Sequence, residues 1–372
     1  INSVKSIGTR TNMLTQQISS LDSRYPNGKN HMNLAAVYVQ HIHKFTNAKW
    51  VLNEGLRFQY SNLFSSIADN SFFQLPVTRV VQNNSSITGN IGLVYNIENN
   101  TRIRFGYANG FRVPNIDDLS KVFESSTSAR QVVVPNPNLK PEYTHNIDAG
   151  INKQVGKFLS LELTAFHTLF NQAIIKAPFQ LNGKDSISYY NVNAQVLANQ
   201  NINRAKLFGG SIELKGKWGK FWKALANFNG VRGYFLTDQS KLTTIYKKQT
   251  DGSYKLVQEK VRTKPLDHIP PFFGKISLIY DDSKWLAEAF VIYNGWKRLE
   301  DYNPDGEDNA QYATTQGSPA WQTLNIRCSY TWNTHWQVQL AVENIMDLNY
   351  RYFASGFSAA GRNISLSLRG RF

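Results

Sequence analysis

The sequence predicts an all-β fold, a transmembrane antiparallel β-barrel with up-and-down connections. Three observations lead to this prediction: apolar and polar residues alternate along many segments, short and long connections alternate between those segments, and aromatic residues gather at the segment ends. Alternation with a period of two places one set of side chains on each face of a strand. A barrel in a membrane turns the apolar set towards lipid and the polar set towards a wet lumen.

The composition fits this fold class. The chain has 372 residues and a mean hydropathy of −0.40. It contains no run of about 18 apolar residues, which excludes membrane-spanning helices. Only alternate residues of a barrel strand face lipid, so the average composition of a membrane barrel stays polar. Aromatic residues make up 13% of the chain, which favours aromatic girdles at the two membrane interfaces.

The alternating segments predict thirteen strands, the last three of which show the clearest pattern. The thirteen cover residues 31–45, 49–60, 84–98, 101–110, 139–155, 157–170, 204–217, 221–236, 268–280, 284–295, 320–331, 336–347 and 361–372. The residues predicted to face the lumen are Asn325, Arg327, Gln337, Gln339, Glu343, Ser365, Ser367 and Arg369. The residues predicted to face lipid are Ile326, Leu340, Val342, Leu366 and Leu368.

Short turns alternate strictly with long polar loops between these strands. The long loops are predicted at residues 61–83, 111–138, 171–203, 237–267, 296–319 and 348–360. All long loops therefore leave the same end of the barrel, and binding residues are expected there because loops held by a rigid scaffold commonly carry function. A soluble β-sandwich, the alternative fold, has no reason to sort its loops in this way.

Several other classes of function are not supported. The formal net charge is +15, but the basic residues are scattered singly and form no recognition motif, so nucleic acid is not an expected partner. Cys328 is the only cysteine, which excludes an internal disulfide and a cysteine-based metal site. No catalytic motif or cofactor-binding motif is found, so neither an enzyme nor a cofactor is predicted. His41 and His43 share one face of a strand, but without further ligands they are interpreted as a solvated pair beside a short turn.

Two short motifs resemble those of TonB-dependent outer-membrane receptors. Residues 110–114 resemble the FRAP box of this family, with Val113 in place of alanine, and residues 136–142 match its NPNLKPE box. The matching motif positions are Phe111, Arg112, Pro114, Asn136, Pro137, Asn138 and Leu139. Residues 342–345 and 350–351, with the terminal Phe372, resemble the last hairpin of the family barrel. Proline and glycine in these boxes also act as loop punctuation, so a purely structural role is the alternative to cargo contact.

The resemblance implies an incomplete barrel. The family barrel has about 22 strands around a plugged lumen. With thirteen predicted strands, residues 1–372 are expected to form the C-terminal part of such a barrel without its plug, and residues 1–30 to be the end of a preceding strand plus an extracellular loop. Strand 361–372 is expected to pair with strand 336–347, and its other neighbour is expected to lie in an upstream sequence.

The resemblance also implies a function in the outer membrane of a bacterial cell. Receptors of this family actively import a scarce nutrient such as a ferric siderophore, haem or a similar iron source, with energy supplied by TonB. The implied partners are the TonB complex, engaged through the plug, the iron chelate or haem cargo, and outer-membrane lipid. The alternatives are a passive porin-like pore and a receptor for a glycan or for cobalamin.

Four residues in the long loops are predicted to contact the cargo, namely Arg112, Arg130, Tyr189 and Tyr190. Arginine pairs well with carboxylates and other anionic groups, so Arg112 and Arg130 suit an anionic iron chelate. A tyrosine phenolate is a known ligand of ferric haem iron, which points to Tyr189 and Tyr190. Residues 115–135 contain no histidine, which argues against direct haem ligation by that loop.

Overall fold

The computed structural model describes residues 2–6, 9–20, 28–45, 49–68, 78–97, 100–120, 123–126, 130–189, 192–306 and 308–371. The described chain consists mainly of β-strands and the loops between them, with one short α-helix, α1, at Ile116–Ser120. No described helix is long and apolar enough to cross a membrane. All thirteen predicted strands are present, and each pairs antiparallel with the next. The all-β, up-and-down prediction is therefore confirmed.

The thirteen long strands are labelled in chain order. They are β1 (Gly28–Lys44), β2 (Trp50–Ser66), β3 (Arg79–Ile97), β4 (Thr101–Arg112), β5 (Glu142–Val155), β6 (Leu159–Pro178), β7 (Val192–Trp218), β8 (Trp222–Leu236), β9 (Phe273–Asp281), β10 (Trp285–Asn294), β11 (Trp321–Thr331), β12 (Trp336–Glu343) and β13 (Asn363–Gly370). The shorter strands are Asn2–Ser6, Thr9–Thr11, Ile18–Ser20, Phe123–Ser126, Gln131–Val134, Ser186–Tyr189, Thr243–Lys248, Tyr254–Glu259, Thr263–Pro265, Lys297–Arg298 and Gly317–Ser318.

The prediction of an irregular loop over residues 171–203 was wrong in its extent. β6 continues to Pro178 and β7 begins at Val192, and the two pair from Ala173↔Ile202 to Pro178↔Leu197. The scattered Asn and Gln residues of this segment suggested a loop. Ile174, Ile175 and Val196 nevertheless favour extended backbone, and the polar residues find partners in the neighbouring loop. The paired ribbon therefore projects beyond the end of the barrel.

The predicted facing of the last strands is confirmed by their register. Leu340 pairs with Leu366 and Val342 with Ile364, while the polar residues Gln337, Gln339, Ser367 and Arg369 pair with one another on the opposite face. Leu366 is 74% exposed and Leu340 is 46% exposed, so neither is buried between two packed sheets. The apolar face is therefore the outer face of the sheet, as a membrane barrel requires.

The inner face carries paired charges. Lys275 Nζ lies 2.6 Å from a Glu288 carboxylate oxygen, and a second pair joins Arg104 to Glu162 at 2.8 Å. Between Lys275 and Arg327 lies the ring of Phe290, which is 3% exposed. Charged groups on this face are partnered because an isolated charge in a partly desolvated wall is costly.

The two outermost long strands differ from those between them. β13 pairs along one edge with β12, as predicted, and β1 pairs with β2. The opposite edge of β1 is paired only at Gly28–Met32, by the short strand Asn2–Ser6. In the described chain no pairing joins β13 to β1. Every residue of β13 is exposed, so neither face of this strand is covered. This is expected for a strand at an open edge.

Candidate functional site

The long connections lie at one end of the sheet, and this end is the candidate functional site. Among the described residues, the opposite end carries tight turns, two of which use a glycine with positive φ, Gly156 at 59° and Gly219 at 60°. Glycine tolerates this left-handed conformation because it lacks a Cβ atom. The loops at the long-loop end, which is called the mouth below, are much more varied, and the loops on its two sides are built differently.

The loop between β4 and β5 folds inward and packs on the inner face of the first strands. Leu119 of helix α1 is fully buried, and Leu139 at the far end of the loop is 4% exposed. Both belong to a cluster with Met32, Leu63 and Val80 of β1 to β3. Pro114 of the first motif is also fully buried. This segment, residues 113–120 and 130–141, is called the motif loop below.

Arg112 connects the motif loop to the sheet. Its Nη1 donates to Asp118 Oδ2 at 2.6 Å, and its Nε donates to Glu142 Oε1 at 3.3 Å. The other oxygen of Glu142 accepts from the backbone N–H of Ile174 at 2.8 Å. The side chains of Asp118 and Glu142 are 14% and 12% exposed. Arg112 therefore neutralises two largely buried carboxylates and holds helix α1 beside β5.

The second motif is fixed by side-chain amides. Asn136 Nδ2 donates to the carbonyl of Asn199 at 2.7 Å, and Gln82 Nε2 donates to the carbonyls of Pro137 and Leu139. Asn201 exchanges two hydrogen bonds with the backbone of Lys140, at 2.7 and 2.9 Å. The motif loop is thus clamped between β3 and the projecting part of β7.

The structure separates the residues predicted to contact cargo. Arg130 is exposed with φ at 50°, and its carbonyl accepts from the N–H of Gln195 at 2.8 Å. The backbone of Tyr189 pairs with Val192, three residues from Gln195. Arg130 of the motif loop therefore lies against the projecting ribbon that carries Tyr189, whereas Arg112 lies at the end of β4. Tyr190 lies outside the described residues, and only the backbone of Tyr189 is described.

His41 and His43 lie on the outer face, close to the short-turn end. Their strand register places them on the same face as Leu56 and Phe58. His41 Nδ1 lies 3.0 Å from a Glu54 carboxylate oxygen, and the His41 side chain is 59% exposed. Among the described residues, no group of three or more His, Cys, Asp or Glu side chains is arranged to hold a metal ion.

Sequence reasoning missed an exposed patch of aromatic and arginine side chains on the opposite side of the mouth. The Arg298 guanidinium lies 4.1 Å from the ring centre of Trp296, and that of Arg351 lies 5.1 Å from the ring centre of Tyr312. Phe357 is 85% exposed. We call this patch the aromatic rim; its members are Trp296, Arg298, Tyr312, Arg351, Tyr352 and Phe357. Loop 348–360 is rich in aromatic residues, with Tyr350, Tyr352, Phe353 and Phe357, and this was the signal that could have revealed the patch.

The aromatic rim rests on a buried polar base. Lys264, 3% exposed, forms an ion pair with Asp305, and Asp308, 2% exposed, accepts a hydrogen bond from the N–H of His268 at 2.7 Å. Burial lowers the pKa of Lys297, whose Nζ donates to the carbonyl of Ile269 at 2.7 Å. Burial also raises the pKa of Tyr302 to about 12. Buried polar groups that find partners make these loops a defined platform.

The two loops of the rim are joined directly. Asn309 Nδ2 donates to the carbonyl of Ala354 at 2.7 Å, and the indole N–H of Trp321 donates to the carbonyl of Arg351 at 3.0 Å. The ring of Tyr302 packs edge-on against Phe353. The rim is therefore one surface built from two loops.

Comparison with curated proteins finds relatives named for binding iron proteins. The chain is 27% identical over 223 residues to the probable hemoglobin and hemoglobin-haptoglobin-binding protein 4 of Haemophilus influenzae, a match that covers 57% of this chain and 20% of the relative. It is 22% identical over 324 residues to transferrin-binding protein A of Neisseria meningitidis serogroup B, covering 77% of this chain and 32% of the relative. The chain thus spans a third or less of the length of these relatives.

Comparison with solved structures finds the same fold at low identity. The copper transporter OprC superposes with a TM-score of 0.69 at 16% identity, covering 98% of this chain and 51% of OprC. The Serratia marcescens hemophore receptor HasR, solved with its hemophore HasA and heme, superposes with a TM-score of 0.66 at 14% identity, covering 96% of this chain and 54% of HasR. The chain therefore spans about half of each of these barrel proteins.

The family itself is established by a match over most of the chain. Residues 5–345 match the family model described as TonB dependent receptor-like, beta-barrel. The family and the relatives above are transport receptors and not enzymes. This chain belongs to the TonB-dependent receptor family, as part of its outer-membrane β-barrel.

Proposed function

We propose that this chain is part of a receptor that takes up iron across the bacterial outer membrane from a cargo bound at the long-loop end. The observation that carries the proposal is the exposed aromatic rim, which stands on a buried base at the mouth of a barrel with a polar inner face. Iron as haem or as a ferric chelate is the nutrient, and the uptake is active.

An iron-carrying protein is the cargo that the rim suits best. Tyrosine, tryptophan and arginine dominate the binding energy of protein interfaces, and the rim combines all three at one exposed surface. The curated relatives are named for binding hemoglobin, hemoglobin-haptoglobin and transferrin, all of which are proteins. A ferric siderophore or free haem would use fewer of these side chains.

The projecting ribbon provides a second set of contacts. Arg130 is exposed and its carbonyl is bonded to Gln195 of the ribbon, and we include Tyr189 and Tyr190 with Arg130 as cargo contacts. Arg112 is 44% exposed but already holds Asp118 and Glu142. Its role in uptake is to position the motif loop at the mouth. Replacing Arg112 should therefore weaken cargo binding by changing the shape of the mouth.

The open edges of the sheet support a larger barrel. An unpaired strand edge costs several kcal/mol per backbone group in lipid, so β1 and β13 require neighbours in the membrane. In this proposal further strands of the same receptor join β13 to the sheet next to β1, and Asn2–Ser6 is the end of the strand that precedes β1. A plug inside the completed barrel couples the receptor to TonB.

Iron-limited growth tests the proposal. A strain that depends on this receptor is supplied with hemoglobin, transferrin, free haem or a ferric siderophore as the iron source, with and without a functional TonB. We expect growth on a protein-bound source, lost without TonB and lost when Tyr312 and Arg351 are replaced by alanine. Growth that does not require TonB would favour the passive pore. If removal of the receptor impaired the uptake of a glycan or of cobalamin but not of iron, that nutrient would replace iron in the proposal.

A further inference from the structure

A groove crosses the outer, lipid-facing surface of four neighbouring strands. Its floor is a row of small residues brought side by side by the register, from Ala149 on β5 through Ala165 on β6 and Gly210 on β7 to Gly230 on β8. Larger apolar side chains line it, including Phe228. The groove has a volume of about 820 Å³, and four strands make it roughly 14 Å long.

A second cavity continues the groove towards the long-loop end. The two cavities share Gly230 and Phe272, and the second has a volume of about 450 Å³. Arg232 and Lys297 line this second cavity, together with Asp301, the one carboxylate among its lining residues in the described chain. Lys297 is buried and bonded to the carbonyl of Ile269, so the exposed Arg232 is the cation of this cavity that can meet a ligand from outside.

The outer face above the groove is basic. Arg232 lies two residues above Gly230 on β8, roughly 7 Å along the strand, and Lys206 lies four residues above Gly210 on β7, roughly 13 Å. Arg204, exposed, follows one step higher on the same face of β7. On the part of β5 to β8 that the structure describes, the outward positions at this level include no carboxylate. The cations therefore meet the membrane surface directly above an apolar channel.

We propose that this groove binds one phosphorylated lipid of the outer leaflet, with an acyl chain along the row from Ala149 to Gly230 and a headgroup phosphate between Arg232 and Lys206. Along the membrane normal, the site has apolar surface at the depth of the acyl chains and cations at the depth of the headgroups. This is the order of the groups in such a lipid. Basic side chains near a membrane surface attract anionic lipids. The inference is independent of the cargo.

Native mass spectrometry of the intact receptor tests the site. The receptor is extracted from the membrane and offered diphosphorylated lipid A, its dephosphorylated form or phosphatidylcholine. The headgroup variant is Lys206→Gln with Arg232→Gln, and its control is Arg79→Gln with Lys153→Gln, which removes two outward charges elsewhere. The groove variant is Ala149→Leu with Ala165→Leu, and its control is Ala287→Leu with Ala289→Leu on the same face of β10.

We expect one molecule of phosphorylated lipid A per receptor, with retention roughly 30-fold weaker in the headgroup variant, as expected for two interfacial cations. The groove variant should lose the lipid, and both controls should keep it. Equal retention of the phosphorylated and dephosphorylated lipids, or unchanged retention in either test variant, would overturn the proposal. So would a groove variant that keeps the lipid but loses a receptor dimer, because the groove would then be a protein interface.

Discussion

The two sides of the mouth differ in which of their side chains are buried and which are exposed. The motif loop buries its characteristic residues: Leu119 and Pro114 are fully covered, and Asn136 is 6% exposed. The aromatic rim buries its polar base and exposes its large side chains, with Tyr312 at 54% and Phe357 at 85%. The recognisable motif of this family is therefore largely buried here, while the exposed aromatic surface carries no motif.

The largest effect is expected from Leu119→Ala on the motif side. Leu119 is 0% exposed within the cluster under helix α1, so truncation should cost about 2–5 kcal/mol. Thermal unfolding of the receptor in detergent measures it. The matched control is Leu242→Ala in the loop after β8, where the leucine is 61% exposed and the expected change is small. Equal destabilisation by both variants would contradict the buried packing of the motif loop.

The next effect is expected from Asn136→Ala. The variant loses the hydrogen bond to the Asn199 carbonyl and leaves the N–H of Asn138 without its acceptor, at a cost of about 1–3 kcal/mol. Limited proteolysis should cut the motif loop faster than in the unmodified receptor. Asn138→Ala is the control, because that side chain is exposed and only two residues away. If the two variants are cut at the same rate, the amide clamp is not what fixes the loop.

A different kind of effect is expected on the rim side. Tyr312→Ala with Arg351→Ala should weaken cargo binding by about tenfold or more, because truncated aromatic and arginine contacts commonly cost above 1 kcal/mol. Thermal stability should fall by about 1–2 kcal/mol or less, because Tyr312 is exposed and Arg351 loses its hydrogen bond to the Tyr312 carbonyl. Arg262→Ala, exposed in another loop of the same end, is the control. A rim variant with full binding would remove the rim from the cargo site.

The smallest effect is a response to alkaline pH in the buried base of the aromatic rim, which the motif loop should not show. Burial raises the pKa of Tyr302 from 10.0 to about 12, so the folded loops favour the neutral phenol. This stabilisation is complete below pH 10 and is lost as the pH rises from 10 through about 12. Lys297 has the opposite effect on the stability of the folded protein, at lower pH. Because its pKa is lowered from 10.5, its contribution to that stability increases as the pH rises towards 10.5.

Tryptophan fluorescence of the receptor, followed from pH 9 to 12 and compared with that of the Tyr302→Phe variant, measures the Tyr302 effect. Tyr302→Phe should remove the transition near the top of this range. The described part of the motif loop contains no tyrosine, so its proteolysis should not change over the same interval. A transition that persists in Tyr302→Phe would assign it to another group.

The fold was largely predictable from the sequence, because a two-residue period fixes both the presence of a strand and its two faces. That is why Leu366 and Arg369 were placed correctly. Strand ends were harder to predict: β9 starts at Phe273 and not at 268, because Pro270 and Pro271 cannot donate to the ladder. β12 ends at Glu343 because Asn344 takes a φ of 50°.

The candidate site was less predictable, because it depends on contacts between loops distant in sequence. Arg112 was recognised by its motif, but its two carboxylate partners are 6 and 30 residues away along the chain. The pairing of Arg351 with Tyr312 spans 39 residues. Neither distance leaves a periodic signal, so the sequence did not reveal these contacts between loops.

We propose that the motif loop shapes the mouth and that the aromatic rim binds the cargo. The most direct test is the Kd for the iron source that supports growth, measured on receptor variants matched for their amount in the membrane. We expect Tyr312→Ala with Arg351→Ala to weaken binding about tenfold with only a small fall in the unfolding temperature. We also expect Asn138→Ala to leave both unchanged. Unaltered affinity in the rim variant, together with lost affinity in Asn138→Ala, would contradict this proposal.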